Sequence, residues 1–196
     1  DSRSELTLSL DIPLFLGVFD TRKLYQADLI VLSPGVDQNT PAIQQAIESG
    51  VRVIGDIELF ALFNTCPVIA ITGSNGKSTV THLVADMCKA AGKKVLMGGN
   101  IGVPALDLLD KSADVIVLEL SSFQLETTYS LKPLVATVLN ITEDHLDRHG
   151  DLANYQKIKL SVYENCEFIV CNRDDDFSCP ANTKATISYG LSQSRA

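Results

Sequence analysis

The sequence predicts an α/β protein built on a doubly wound parallel sheet, and three observations carry that prediction. Short apolar runs alternate with helix-like stretches along most of the 196 residues. Most of the runs are continuous rather than alternating, as suits parallel strands covered on both faces. One run, in "VIAITGSNGKSTV" (68–80), breaks into a Gly-rich turn and then an amphipathic stretch, the pattern of a strand ending in a loop that holds phosphate.

Taken in order, the strands are expected at "ADLIVLS" (27–33), "VRVIG" (51–55), "PVIAIT" (67–72), "KVLMG" (94–98), "DVIVLEL" (114–120), "LVATVLNI" (134–141) and "EFIVCN" (167–172). Helices are expected between them, over 40–49, 56–64, 77–91, 103–110 and 151–164. In the helix after the Gly-rich turn, Val80, Leu83, Val84, Met87, Cys88 and Ala91 fall on one apolar face, and Gly92 follows as its stop. A boundary is expected near "NTCP" (64–67), because residues 1–64 hold too few strands for a complete domain. The expected division is therefore 1–64 and 65–196.

Composition narrows the function. With 16 Lys and Arg against 24 Asp and Glu the net charge is −8, which argues against a nonspecific binder of nucleic acid or anionic membrane. An acidic protein that binds phosphates must concentrate cations locally, or use metal ions and backbone N–H groups. No apolar run approaches a membrane span and no signal peptide is visible, so a cytoplasmic protein is expected. The five cysteines, Cys66, Cys88, Cys166, Cys171 and Cys179, form no C-x-x-C pair and are expected to be reduced, packed thiols.

The chemistry starts at the loop. Gly73 and Gly76 let successive N–H groups converge on one anion, and the helix N-terminus adds partial positive charge. Lys77 brings a full charge to the outer phosphates and the Ser78 hydroxyl can ligate Mg²⁺. The strict G-x-x-x-x-G-K-[ST] pattern fails at its first position, where Ile71 stands; a surface turn that happens to hold Gly-Lys-Ser is the alternative. Glu119 ends a buried strand and needs a partner, either a metal ion or a cap or salt bridge. Asn140 stands near the end of another strand run and His145 follows it; a histidine there can ligate metal, hold substrate or simply be solvated. His149 and His82 are read as ordinary solvated residues.

Lys159 is the most informative position. On a wheel of 151–164, Leu152, Tyr155, Ile158, Val162 and Tyr163 share one face with Lys159 in its middle, while Lys157 points outward. Such a lysine either snorkels to the edge or is desolvated with a lowered pKa. In the second case the neutral amine can take up CO₂ as a carbamate, which is an anionic oxygen ligand for Mg²⁺.

These segments also carry a resemblance. "ITGSNGKSTV", "GGNIG" (98–102), "VLELSSFQLE" (117–126), "LNITEDHLDRHGD" (139–151), "YQKIKLSVYEN" (155–165) and "GDIELF" (55–60) resemble the Mur ligases of bacterial cell-wall synthesis, over about residues 27–172. The resemblance implies part of a Rossmann-like N-terminal domain that grips a UDP-sugar, followed by an incomplete central ATP-binding domain with a P-loop. It implies an ATP-dependent carboxylate–amine ligase. The γ-phosphoryl group of ATP passes to the carboxylate of UDP-MurNAc-L-Ala, and the amine of D-glutamate attacks the acyl phosphate. It also implies Gly73, Ser74, Asn75, Gly76, Lys77, Ser78 and Thr79 as nucleotide contacts, with Lys77, Lys159 and His145 in catalysis. Two Mg²⁺ sites would use Ser78, Glu119, His145 and a carbamylated Lys159. Ser2, Arg3, Ser33, Asn100, Ser121 and His145 would meet the UDP-sugar substrate. The family's N-terminal Gly-rich strand-turn-helix and its amino-acid domain are not matched, so this stretch alone is expected to be an inactive fragment, and monomeric. The competing expectations are another member of the superfamily, including a folylpolyglutamate synthase-like ligase, a P-loop ATPase or GTPase switch, and a non-catalytic P-loop nucleotide-binding module.

Overall fold

The computed structural model describes residues 13, 15, 17–179 and 187–192, and the expected substrate contacts Ser2 and Arg3 lie outside them. The chain divides into two units, residues 1–30 with 38–53, and residues 31–37 with 54–196. The first contains α1 (Thr21–Tyr25) and α2 (Pro41–Glu48). Pro41 suits the first turn of α2, where its missing N–H would have no partner. Ile43 and Ala46 are its buried residues, and Tyr25 donates to Gln45 Oε1 at 2.9 Å. Two short strands, β1 (Leu29–Leu32) and β2 (Arg52–Gly55), pair in a two-stranded sheet, and the division runs through both.

The second unit is the parallel α/β body. After α3 (Asp56–Phe63) come β3 (Val68–Thr72), α4 (Lys77–Ala90), β4 (Val95–Gly99), β5 (Val115–Glu119), α5 (Ser122–Leu125), β6 (Val135–Val138), α6 (Leu146–His149), α7 (Leu152–Leu160), β7 (Phe168–Asn172) and β8 (Ile187–Tyr189). The six strands are ordered β4-β5-β3-β6-β7-β8 and every pairing is parallel. From β3 the chain runs to β4 and β5 on one side and then to β6, β7 and β8 on the other. The carboxyl end of β3 is therefore the switch point at which such sheets open a ligand crevice. β5 is buried at all five positions and β3 at four of five, which is why both read as continuous apolar runs. The core joins Ile57 and Phe60 of α3 to Val68, Ala70, Ile116, Leu118, Ala136 and Val138 of the sheet, and to Tyr155 and Val162.

Three expectations need correction. The helix over 103–110 is a single 3₁₀ turn, Ala105–Leu108, and α7 passes into a 3₁₀ turn at Ser161–Tyr163. The buried face of α4 is rotated from the expected one. Thr81 and Ala85 are buried, whereas Leu83 and Met87 are 57% and 62% exposed. Small side chains let α4 approach β3, β4 and β5 closely, and close approach decides the face more than residue hydrophobicity. Finally, Cys171 and Cys179 are joined in a disulfide across a separation of 8 residues, and only Cys66, Cys88 and Cys166 are free. A turn brings the two thiols together, which spacing alone does not disclose. No helix among the described residues is long and apolar enough to cross a membrane.

Candidate nucleotide and metal site

The loop after β3 has the shape its glycines permit. Gly76 caps α4 with φ of 81°, in the left-handed region, and contributes no side chain to the first-turn N–H groups. Gly73 has φ of 151°, and a Cβ there would lie 3.1 Å from that of Leu139. The loop is braced from the segment that follows β6. Ser74 N–H donates to the Asn140 carbonyl at 2.9 Å, and Asn75 N–H to Asn140 Oδ1 at 2.9 Å. Asn140 Nδ2 returns a bond to the Asn75 carbonyl at 3.0 Å. Ser74 Oγ donates to the Thr142 carbonyl and accepts from Thr142 N–H, both at 3.0 Å, and Tyr155 Oη lies 3.2 Å from it. Lys77 Nζ folds back on the carbonyls of Gly73 and Ser74, at 2.9 and 3.0 Å. Ser78 and Thr79 are exposed on the first turn of α4. His82, which binds only the Ser78 carbonyl, is an ordinary surface histidine.

Lys159 does not snorkel. It is 1% exposed, donates to the Gly73 carbonyl at 3.0 Å and lies over the Tyr155 ring. Burial lowers its pKa to about 7, the nearby Lys77 ammonium adds to the fall, and Asp144 opposes it. Its Nζ also reaches Thr72 Oγ1 at 3.4 Å, and that hydroxyl donates to the Leu120 carbonyl at 2.8 Å, directly after Glu119. Glu119 is 1% exposed. Its Oε1 accepts from Asn100 Nδ2 at 2.8 Å, while Oε2 is buried without a hydrogen-bond partner. An orphaned carboxylate oxygen on the phosphate-loop edge fits a hard cation. No three His, Cys, Asp or Glu side chains cluster among the described residues, so any ion held here would take further oxygens from phosphate, water or a modified lysine.

His145 caps α6 with φ of 52°, the one non-glycine residue in the left-handed region among those described. That conformation costs roughly 1–2 kcal/mol and needs support from its surroundings. Its ring packs on Phe123 with centroids 4.8 Å apart, and its Nε2 lies 3.5 Å from Asp144. Lys77 and Lys159 thus share the Gly73 carbonyl and Lys159 reaches Thr72, Asn100 pairs with Glu119, and the Thr72 bond to the Leu120 carbonyl falls one residue after Glu119, with His145 on the same β6–α6 turn as the loop's brace. Ser121 serves as N-cap of α5 in a reciprocal capping box with Gln124. Ser33 is exposed, and its carbonyl closes a turn with Val36 N–H at 2.9 Å. Sequence reasoning missed Thr72, Tyr155 and Phe123. It also missed His149, which is buried at 3% exposure rather than solvated, and burial lowers its pKa against the pull of Glu126. A cavity of about 700 Å³ opens at the amino ends of β3 and β6, between Cys66, Lys132 and Asn165. None of the expected site residues lines it.

A parallel sheet whose switch-point strand ends in a glycine loop and opens a helix defines an α/β protein of the phosphate-loop class. The chain belongs to the Mur ligase family. Residues 71–196 match the Mur ligase middle domain, and residues 1–55 match the Mur ligase MurD-like N-terminal domain. It is 55% identical over 188 residues to UDP-N-acetylmuramoylalanine--D-glutamate ligase of Haemophilus influenzae strain PittEE, covering 96% of this chain and 41% of that protein. The ligase of the same name from Mannheimia succiniciproducens is 57% identical over 168 residues, covering 86% and 38%. The chain therefore spans about two fifths of the length of these relatives. Among solved structures, the fold is similar to a pseudomurein peptide ligase type C from Methanothermus fervidus, with TM-score 0.56 and 22% identity over 89% of this chain and 38% of that one. It is also similar to the UDP-N-acetylmuramate-alanine ligase MurC of Thermotoga maritima, with TM-score 0.54 and 22% identity over 85% and 39%.

Proposed function

We propose that this chain is part of an ATP-dependent carboxylate–amine ligase that adds D-glutamate to UDP-MurNAc-L-Ala in peptidoglycan synthesis, in the cytoplasm and as a monomer. The proposed boundary between the UDP-sugar-gripping part, with Ser2, Arg3 and Ser33, and the ATP-binding part is near residue 64, although α3 packs its Ile57 and Phe60 into the core of the parallel sheet. Residues 65–196 belong to the ATP-binding domain. The observation that carries the reading is the 55% identity to a ligase of that name, and the chemistry of Lys159 and Glu119 supports it.

A carboxylate is a poor acyl donor because its leaving group is oxide, whereas phosphate leaves readily. The protein's task is to hold ATP and the carboxylate in line and to neutralise crowded oxygens during transfer. The N–H groups of residues 76 to 79 on the first turn of α4 hold the nucleotide phosphates, while those of Ser74 and Asn75 are taken by Asn140. Lys77, now resting on two loop carbonyls, is placed to swing onto the outer phosphates. Ser78, Glu119, His145 and a carbamylated Lys159 would hold Mg²⁺ at two sites, and the ions supply charge neutralisation at the transferring phosphoryl group. A lysine that is neutral near pH 7 is the form that reacts with CO₂, and the product turns a buried cation into an anionic oxygen ligand. Asn100 and Ser121 orient the muramoyl-alanine end of the substrate, and the D-glutamate amine then displaces phosphate.

The test is phosphate release from MgATP by the full-length protein, with UDP-MurNAc-L-Ala present and only the amino acid varied. Release with D-glutamate, and not with L-lysine or diaminopimelate, is expected. Release with a different amino acid would keep the ligase chemistry and change the acceptor. Release that needs no acceptor would overturn the reading.

A further inference from the structure

The four-residue helix α6 carries more than His145. Its last two residues, Arg148 and His149, lie three and four positions after His145 and so face the same side. All three pack on Phe123. His145 and His149 have ring centroids 4.8 and 5.3 Å from that of Phe123, and the Arg148 guanidinium carbon is 5.4 Å from it. His149 Nε2 shares a hydrogen bond with Ser122 Oγ at 2.9 Å, while its Nδ1 lies 2.9 Å from Glu126 Oε1 without hydrogen-bond geometry. The order Ser, His, Glu is that of a hydrolase relay, but Ser122 is 2% exposed and admits no substrate. The relay's role here is to hold.

Arg148 extends the holding to a distant segment. Its Nη2 donates to Glu126 Oε2 at 2.6 Å and to the Val36 carbonyl at 3.3 Å, and its Nε, which makes no hydrogen bond, lies 3.3 Å from Asp37 Oδ1 as an ion pair. The Arg148 side chain is 12% exposed and its guanidinium faces two carboxylates. Its charge is thus committed within the protein and not offered to a ligand. Asp37 and Val36 follow Ser33 in the short 33–37 loop. One planar fork therefore joins that loop, α5 and the helix that His145 begins.

We propose that Arg148 is a positioning residue that couples the 33–37 loop to the His145 turn, so that a sugar nucleotide gripped by the loop and the side chain presented to the reacting phosphate are held in register. The proposal rests on the ligase reading for its ligand, but the coupling itself does not. Lysine cannot replace this arginine, because a single ammonium cannot bridge Glu126, Asp37 and the Val36 carbonyl in one plane.

The test uses the full-length protein and the variants Asp37→Asn, Asp37→Glu, Arg148→Lys and Asp37→Asn with Arg148→Lys. Kinetics are read at saturating MgATP and D-glutamate with UDP-MurNAc-L-Ala varied. Asp37→Asn and Arg148→Lys are each expected to lower kcat by about threefold to tenfold, with KM for the sugar nucleotide little changed. Asp37→Glu should restore most of the loss, and the double variant should be no slower than the worse single one. Losses that multiply, a loss confined to KM, or wild-type kinetics in Asp37→Asn would overturn the proposal. Asp37 is 42% exposed in its side chain, so the Asp37 pair decides alone if Arg148→Lys fails to fold. A second readout needs no turnover. Amide hydrogen exchange over residues 142–150 is expected to quicken in Asp37→Asn, and unchanged exchange there overturns the coupling. A wild-type protein without D-glutamate-dependent release sinks the ligase reading and leaves the exchange result to decide the coupling.

Discussion

Replacing Lys159 with Met removes a buried amine whose state is set by its surroundings. An ordinary lysine has a pKa of 10.5, and burial, assisted by Lys77, brings this one to about 7. At about pH 7.5 roughly three quarters of Lys159 is then neutral, against about one in a thousand for an ordinary lysine. The amine open to CO₂ is therefore raised several hundredfold. In the reaction the nitrogen lone pair attacks the carbon of CO₂, a proton leaves to water, and a carboxylate remains on nitrogen. Because protonation competes, uptake should fall as pH drops below about 7. The assay is NMR of the full-length protein in ¹³C-bicarbonate, with Lys159→Met as control. A carbamate carbon signal at about pH 8, absent from the variant and weakened at about pH 6, is expected. No Lys159-dependent signal, or one indifferent to pH across that range, would refute the reasoning. The same shift affects stability. Between about 7 and 10.5 the unfolded chain binds a proton that the folded one does not, so the lysine's contribution becomes more favourable as pH rises. Below about 7 the full penalty of a buried cation is present. Lys159→Met should remove that slope from the denaturation midpoint.

Three further outcomes are expected. Asn100→Ala frees Glu119 Oε1 from its 2.8 Å partner and should raise the Mg²⁺ concentration needed for half-maximal turnover by about 10- to 100-fold, read by metal titration. Gly76→Ala forces a Cβ into φ of 81° and should cost about 1–2 kcal/mol, read by urea denaturation, together with weaker ATP binding. Reducing the Cys171–Cys179 bond, which closes a loop of 8-residue separation, should destabilise the protein by about 2–3 kcal/mol, seen as a lower midpoint in dithiothreitol that Cys171→Ser reproduces without reductant.

Much of the fold was legible because the strands of a parallel sheet are buried on both faces and announce themselves as unbroken runs. The strand order was not legible, since it depends on which crossover lies over which face. Helices α5 and α6 span four residues each, too short for any periodicity to show. The α4 face was misread because Thr81 and Ala85 are weak apolar signals and strong steric ones. Within the site, Lys159 stood out because its chemistry contradicts its helical stripe. Asn140 was visible as a residue in the right loop, but its bracing of Asn75 was not. Arg148 left no signal, because its partners Val36 and Asp37 lie more than 100 positions away.

The brace on the phosphate loop also dictates an order of events. Asn140 and Thr142 reach Asn75 and Ser74 across 65 and 68 positions of chain. At about 5–20 residues per second of synthesis, the brace follows the loop by roughly 3–14 seconds. During that interval Ser74 and Asn75 lack the partners that hold them in the folded chain. The bracing bonds of the loop are thus completed only once the segment after β6 is in place beside β3.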